Sequence, residues 1–219
     1  MSREVTARRL TVPLEGEDLK TASLGGGPPP PPTNAGPAIS NARLGVFVFL
    51  GAEVMFFAGL IGAFMVYRLG SEVWPPLSQP RLPVAITGVN TVVLLFSGIT
   101  VYLALRAIRL GKSTSLFRWL LTTVFLGAVF LVVQGYEWLR LIHFGLKMSS
   151  GIYGATFYTL IGFHGFHVVG AMLWLIAVLA QGWRGRFTSN SHTGVEVCAI
   201  YWVFVVVLWP ILYGLVYLY

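Results

Sequence analysis

The run IYGATFYTLIGFHGFHVVGAMLWLIAVLA, residues 152–180, contains no Asp, Glu, Lys or Arg, and its length decides the fold class. At a rise of about 1.5 Å per residue it exceeds the roughly 30 Å of hydrocarbon that a bilayer presents. It therefore reads as a membrane-spanning helix, since a soluble core helix is far shorter. His164 and His167 sit at its middle, one helical turn apart. Ionisable side chains at that depth are costly and need a partner or a task.

Outward from this run the same signature recurs at residues 44–67, 84–105, 118–141 and 195–218. The pattern predicts an all-α, polytopic bundle of five transmembrane helices. Composition agrees: 56% of residues are hydrophobic, 11% are charged, and the mean hydropathy is +0.75. The first span carries one acid, Glu53, within GAEVMFFAGLIGAF (51–64). Between the first two spans, Pro75, Pro76, Pro80 and Pro83 forbid a continuous helix and predict an ordered surface turn. Residues 1–42 differ from everything after them, being polar, of mixed charge, and holding five consecutive prolines at Pro28–Pro32. They read as a disordered cytoplasmic tail with a short polyproline spacer ahead of a transmembrane domain at 43–219.

The net charge of +7 raises the question of nucleic acid, but the basic residues fall in short loops between apolar runs. That pattern marks topology, and no nucleic-acid partner is expected. With five spans, Arg3, Arg8, Arg9, Lys20, Arg43, Arg106, Arg109, Lys112, Arg118, Arg184 and Arg186 share one side. Arg68, Arg81, Arg140 and Lys147 share the other. The positive-inside rule then predicts a cytoplasmic N-terminus and an outward C-terminus.

Rise per residue places Glu53 about 4 Å from the midplane, and His164 and His167 within about 3 Å of it. Two readings of this common level stand open. One is a proton-linked set; the other is a neutral acid on a backbone carbonyl, with histidines that tie helices together. Asn90, Thr91, Ser97 and Gln134 suit interhelical hydrogen bonds, and Gly51, Gly59, Gly62, Gly127, Gly162, Gly165 and Gly170 suit close helix approach. Four histidines, two of them (His143 and His192) at span ends, and the single Cys198 are too few for a redox-metal site, so none is expected.

Several motifs in a fixed order resemble the haem-copper oxidase (cytochrome c oxidase) subunit III family in its five-span bacterial form. They are AEVMFFAGLIGAF (52–64), WPP (74–76), VNTVVLLFSG (89–98), QGYEW (134–138) with Glu137, GIYGATFY (151–158), GFHGFHV (162–168), FTSNSH (187–192) with Glu196 beyond it, and YWVFVVVLW (201–209). The resemblance spans residues 44–219. It departs where the family has a histidine and an aspartate in the last span, here Val203 and Val206, and where a basic residue at the end of the fourth span is replaced by Gln181.

The resemblance implies an accessory, non-catalytic subunit of a respiratory terminal oxidase in a bacterial inner membrane. Such a subunit binds no haem or copper of its own, stabilises subunit I, associates with subunit II, holds phospholipid and supports proton uptake. Glu53, His164, His167 and Glu137 become its buried proton-linked candidates, and Arg184 and Arg186 its lipid-headgroup candidates. Two alternatives share these features: the accessory subunit of a quinol oxidase or nitric oxide reductase, and a stand-alone proton or ion carrier.

Overall fold

A computed structural model describes residues 41–76, 82–188 and 191–219. The tail up to residue 40 and residues 77–81, with Pro80, lie outside the described residues. Among the described residues, five helices long and apolar enough to cross a membrane follow one another: α1 (Asn41–Leu69), α2 (Val84–Arg109), α3 (Ser113–His143), α4 (Ile152–Trp183) and α5 (Thr193–Tyr213). A five-residue π-helical turn, Gly214–Leu218, continues α5. The helices outrun the apolar stretches that predict them by two to five residues at most ends. Interfacial residues such as Arg68, Arg106 and Arg109 extend the helix once it has left the hydrocarbon.

Helices α2, α3 and α4 stop by the same device. In each, a glycine with positive φ (Gly111, Gly145, Gly185) follows the last turn. Its N–H and the next residue's N–H return to carbonyls three and five positions back, as from Gly111 to Ile108 and from Lys112 to Ala107. This glycine-terminated cap satisfies carbonyls that would otherwise be orphaned. It also sets the tight α2–α3 hairpin.

The buried residues of α3 run Leu116, Leu120, Thr123, Gly127, Phe130, Gln134, Glu137, Leu141. Those of α2 include Thr87, Thr91, Leu94, Val101, Ala104 and Ile108. Alternating steps of three and four keep one stripe facing a neighbour along the whole length, the geometry of left-handed membrane bundles. Since lipid is as apolar as leucine, polar ties and close contact hold such helices together. Asn90 donates to the Phe130 carbonyl at 3.1 Å, and Thr100 and Thr123 pair at 2.8 Å. From α5, Trp202 and Trp209 donate to Ser97 and Thr91 at 3.1 and 2.9 Å.

Helix α5 is the hub: 67% of its most apolar window is buried, against 6% for α1, which leans on α4 and α5 from outside. Of the glycines expected at close approaches, Gly127 is one. A Cβ there would stand 2.3 Å from Met172 and 2.7 Å from the Trp202 ring. Gly165 faces Trp138, whereas Gly51, Gly59, Gly62, Gly162 and Gly170 face no atom within 4 Å. The glycines of α1 go unused because that helix has neighbours on one flank.

Val206 is buried and lies against Gly98, while Val203 is half exposed. Apolar contact thus occupies the positions where the resembling family has polar residues. The proline loop behaves as expected in its described part. Trp74 wedges between Phe64 of α1 and Tyr153 of α4, edge-on to both, with ring centroids 5.7 and 5.1 Å away.

Candidate functional site

Glu53 of α1 and His167 of α4 meet across the seam between those helices. Glu53 Oε2 stands 2.8 Å from His167 Nε2, and the two side chains are 14% and 12% exposed. The approach is short but lacks the geometry of a full hydrogen bond to a ring N–H. His167 Nδ1 lies 2.7 Å from the Phe163 carbonyl one turn back. A carbonyl only accepts, so Nδ1 carries a hydrogen.

A proton shared between carboxyl and ring would leave the pair without net charge, as a neutral acid with a neutral imidazole or as a carboxylate with an imidazolium. Zero net charge is what a low-dielectric seam requires. Phe57 closes the seam from the core side, its ring edge-on to His167 at 5.1 Å. Phe56 and Phe166 cover it at 6.3 and 6.1 Å.

His164 is not part of this pair. It is 1% exposed, lies nearly parallel to the Trp209 ring at 5.0 Å, and has no partner for either ring nitrogen among the described residues. A step of three residues turns a helix about 60° short of a full circle. That small rotation sends His167 towards α1 and His164 towards α3 and α5. His164 there lines an apolar groove of about 380 Å³ with Phe130, Gln134, Trp138 and Trp209. A shared depth in the sequence did not distinguish the two rings.

Glu137 is buried at the far end of α3, 2.9 Å from the Thr87 hydroxyl of α2. Arg184 and Arg186 are exposed just beyond α4. Sequence reasoning missed a separate cluster at the same end of the bundle. Glu196, in the first turn of α5, receives Arg43 of α1 and Arg109 of α2. Arg43 Nε donates at 2.8 Å and Arg109 at 2.6 Å. The available signal was an acid placed on the side where basic residues concentrate. Among the described residues, no group of three or more His, Cys, Asp or Glu converges as a metal site.

Comparison with known proteins places these features in a family context. The family described as cytochrome c oxidase subunit III matches residues 35–219. The cytochrome c oxidase subunit 3 of Synechocystis sp. is 37% identical over 80% of this chain and 74% of that protein. A probable cytochrome c oxidase subunit 3 from Nocardia farcinica is 35% identical over 80% of this chain and 86% of its own length. The Mus musculus cytochrome c oxidase subunit 3 is 37% identical over 80% and 68%.

Proposed function

This chain belongs to the cytochrome c oxidase subunit III family, and from that we propose that it is the cofactor-free accessory subunit of a bacterial terminal oxidase, stabilising subunit I and binding phospholipid. As a member of that family it is a membrane-embedded oxidase subunit that associates with the other oxidase subunits. The observation that supports the reading best is spatial. AEVMFF and GFHGFHV, the motifs that carry the family resemblance, lie about a hundred residues apart and meet at the Glu53–His167 contact.

In the proposed role, oxygen reduction and its haem and copper belong to the partner subunits. The neutral Glu53–His167 pair supports proton uptake by holding one shared proton at the bundle's edge. Arg184 and Arg186, exposed beyond α4, suit phospholipid headgroups. The experiment is affinity purification through this chain in mild detergent. Haem absorbance and oxygen consumption should co-purify, and the chain released from its partners should retain neither haem nor stoichiometric copper or iron. Recovery of the chain free of oxidase, or with tightly bound metal, would overturn the role.

The proposed orientation, N-terminus in the cytoplasm and C-terminus outside the inner membrane, is supported by the density of Arg106, Arg109, Lys112 and Arg118 around the α2–α3 turn. A reporter fused after Tyr219 should register the outer side. Cytoplasmic signal from that fusion would reverse the assignment.

A further inference from the structure

A second acid, away from the α1–α4 seam, has an incomplete hydrogen-bond account. Glu137 is 3% exposed. Its Oε2 stands 2.9 Å from the Thr87 hydroxyl, which also stands 2.9 Å from the Pro83 carbonyl one turn back in α2. A hydroxyl has one hydrogen. When that hydrogen goes to Pro83, the contact with Glu137 closes only if the carboxyl is the donor. Glu137 Oε1 is buried with no hydrogen-bond partner among the described residues.

No cation compensates by contact. Arg140, one turn along α3, stacks its guanidinium on Tyr136 and Phe144 at 5.9 and 5.8 Å, and makes no ion pair with Glu137 among the described residues. Beside Thr87, the Gln134 amide one turn back on α3 also reaches the carboxyl. A carboxylate buried with so few donors and no ion pair is costly, and a bound proton removes that cost.

The route for that proton is built into the end of α5. A cavity of about 460 Å³ opens there, lined by Arg68, Trp74, Tyr153, Tyr217 and Tyr219 among others. Tyr217 lines it from the π-helical turn, a conformation that often marks functional positions. Its hydroxyl lies among Thr87, Gln134 and Glu137, 3.4 Å from Gln134 Nε2. The titratable and charged groups around Glu137 are Tyr217 at the end of α5, Arg140 on its own helix, and Tyr153 and Arg68 from α4 and α1 behind Tyr217.

We propose that Glu137 is a proton-binding site, filled from the cavity at the Tyr219 end through the Tyr217 and Thr87 hydroxyls. A hydronium ion in the cavity passes its proton to the Tyr217 oxygen and is left as water, while Tyr217 releases its own hydrogen to Thr87 and the Thr87 hydrogen passes to Glu137 Oε2. Each hydroxyl gains one hydrogen and gives one up, and the carboxylate becomes the neutral acid.

The test is infrared spectroscopy of the intact oxidase. A carbonyl band of a protonated carboxylic acid should be lost in Glu137→Gln, measured in a Glu53→Gln background so that the seam pair does not contribute. Thr87→Val keeps the carboxyl and should shift the band instead, which covers the case in which Glu137→Gln fails to assemble. After transfer to deuterated buffer the band should shift, and Tyr217→Phe should slow that shift. A wild-type spectrum in Thr87→Val, or in an assembled Glu137→Gln complex, would overturn the proton site. Unchanged exchange in Tyr217→Phe would overturn the route.

Discussion

Trp209→Ala is expected to destabilise the bundle by about 3 to 5 kcal/mol, the range for truncating a large aromatic in a core that cannot collapse. Trp209 has no exposure and touches three helices. It donates to Thr91 of α2 at 2.9 Å, meets Phe130 of α3 edge-on at 5.2 Å, and lies under His164 of α4 at 5.0 Å. Its loss would leave a void beside an imidazole whose nitrogens already lack partners.

Trp209→Phe separates the terms. It keeps a ring against His164 and Phe130 and removes the indole N–H, for about 1 kcal/mol. Thr91 still donates to the Thr87 carbonyl at 2.7 Å, so no donor is orphaned. Reversible unfolding in mixed detergent micelles gives both values. A Trp209→Ala cost below that of Trp209→Phe would show that α5 is not the hub of this fold.

The sequence carried the helices well and their partners poorly, for a physical reason. Burial in a bilayer is written into composition, so five apolar runs were readable one residue at a time. Contact between helices depends on rotation about axes that composition does not fix. The alternating three-and-four stripes on α2 and α3 could have been read for it, because Thr87, Thr91, Thr123, Gln134 and Glu137 stand on them. Glycines were a poorer guide: Gly127 marks a close approach while Gly59 and Gly62, on the flank of α1, mark none.

The candidate site divides along the same line. That Glu53 needs a partner near its own depth followed from desolvation alone, and the histidine pair was the natural source. Which ring serves it was settled by 60° of helix rotation. Glu196 stayed hidden because it looks like an acid in a first turn, where acids are common for helix-dipole reasons. Its two arginines come from helices whose ends approach only in the folded bundle.

The coupling of Glu53 to His167 gives the second large effect. Glu53→Ala removes the carboxyl facing His167 Nε2 and leaves that nitrogen in a seam with no other partner among the described residues. A buried polar atom left unsatisfied costs about 1 to 3 kcal/mol. His167→Ala leaves the Glu53 carboxyl in the same position, with the same order of cost. Once either group is gone the other has no contact across the seam left to lose. The double variant should therefore cost less than the sum of the singles, by about 0.5 to 3 kcal/mol.

Glu53→Gln should be milder than either, because its amide can donate to Nε2 while Nδ1 still donates to the Phe163 carbonyl. His164→Ala is the control. Its ring lies against Trp209 and not Glu53, so its effect should add to that of Glu53→Ala within about 0.5 kcal/mol. Co-purification with the other oxidase subunits, and the decay of oxygen consumption during turnover, report the same cycle in the assembled complex. Coupling of Glu53 to His164 with additivity at His167 would contradict the seam geometry, and additivity at both would leave Glu53 without a partner in the bundle.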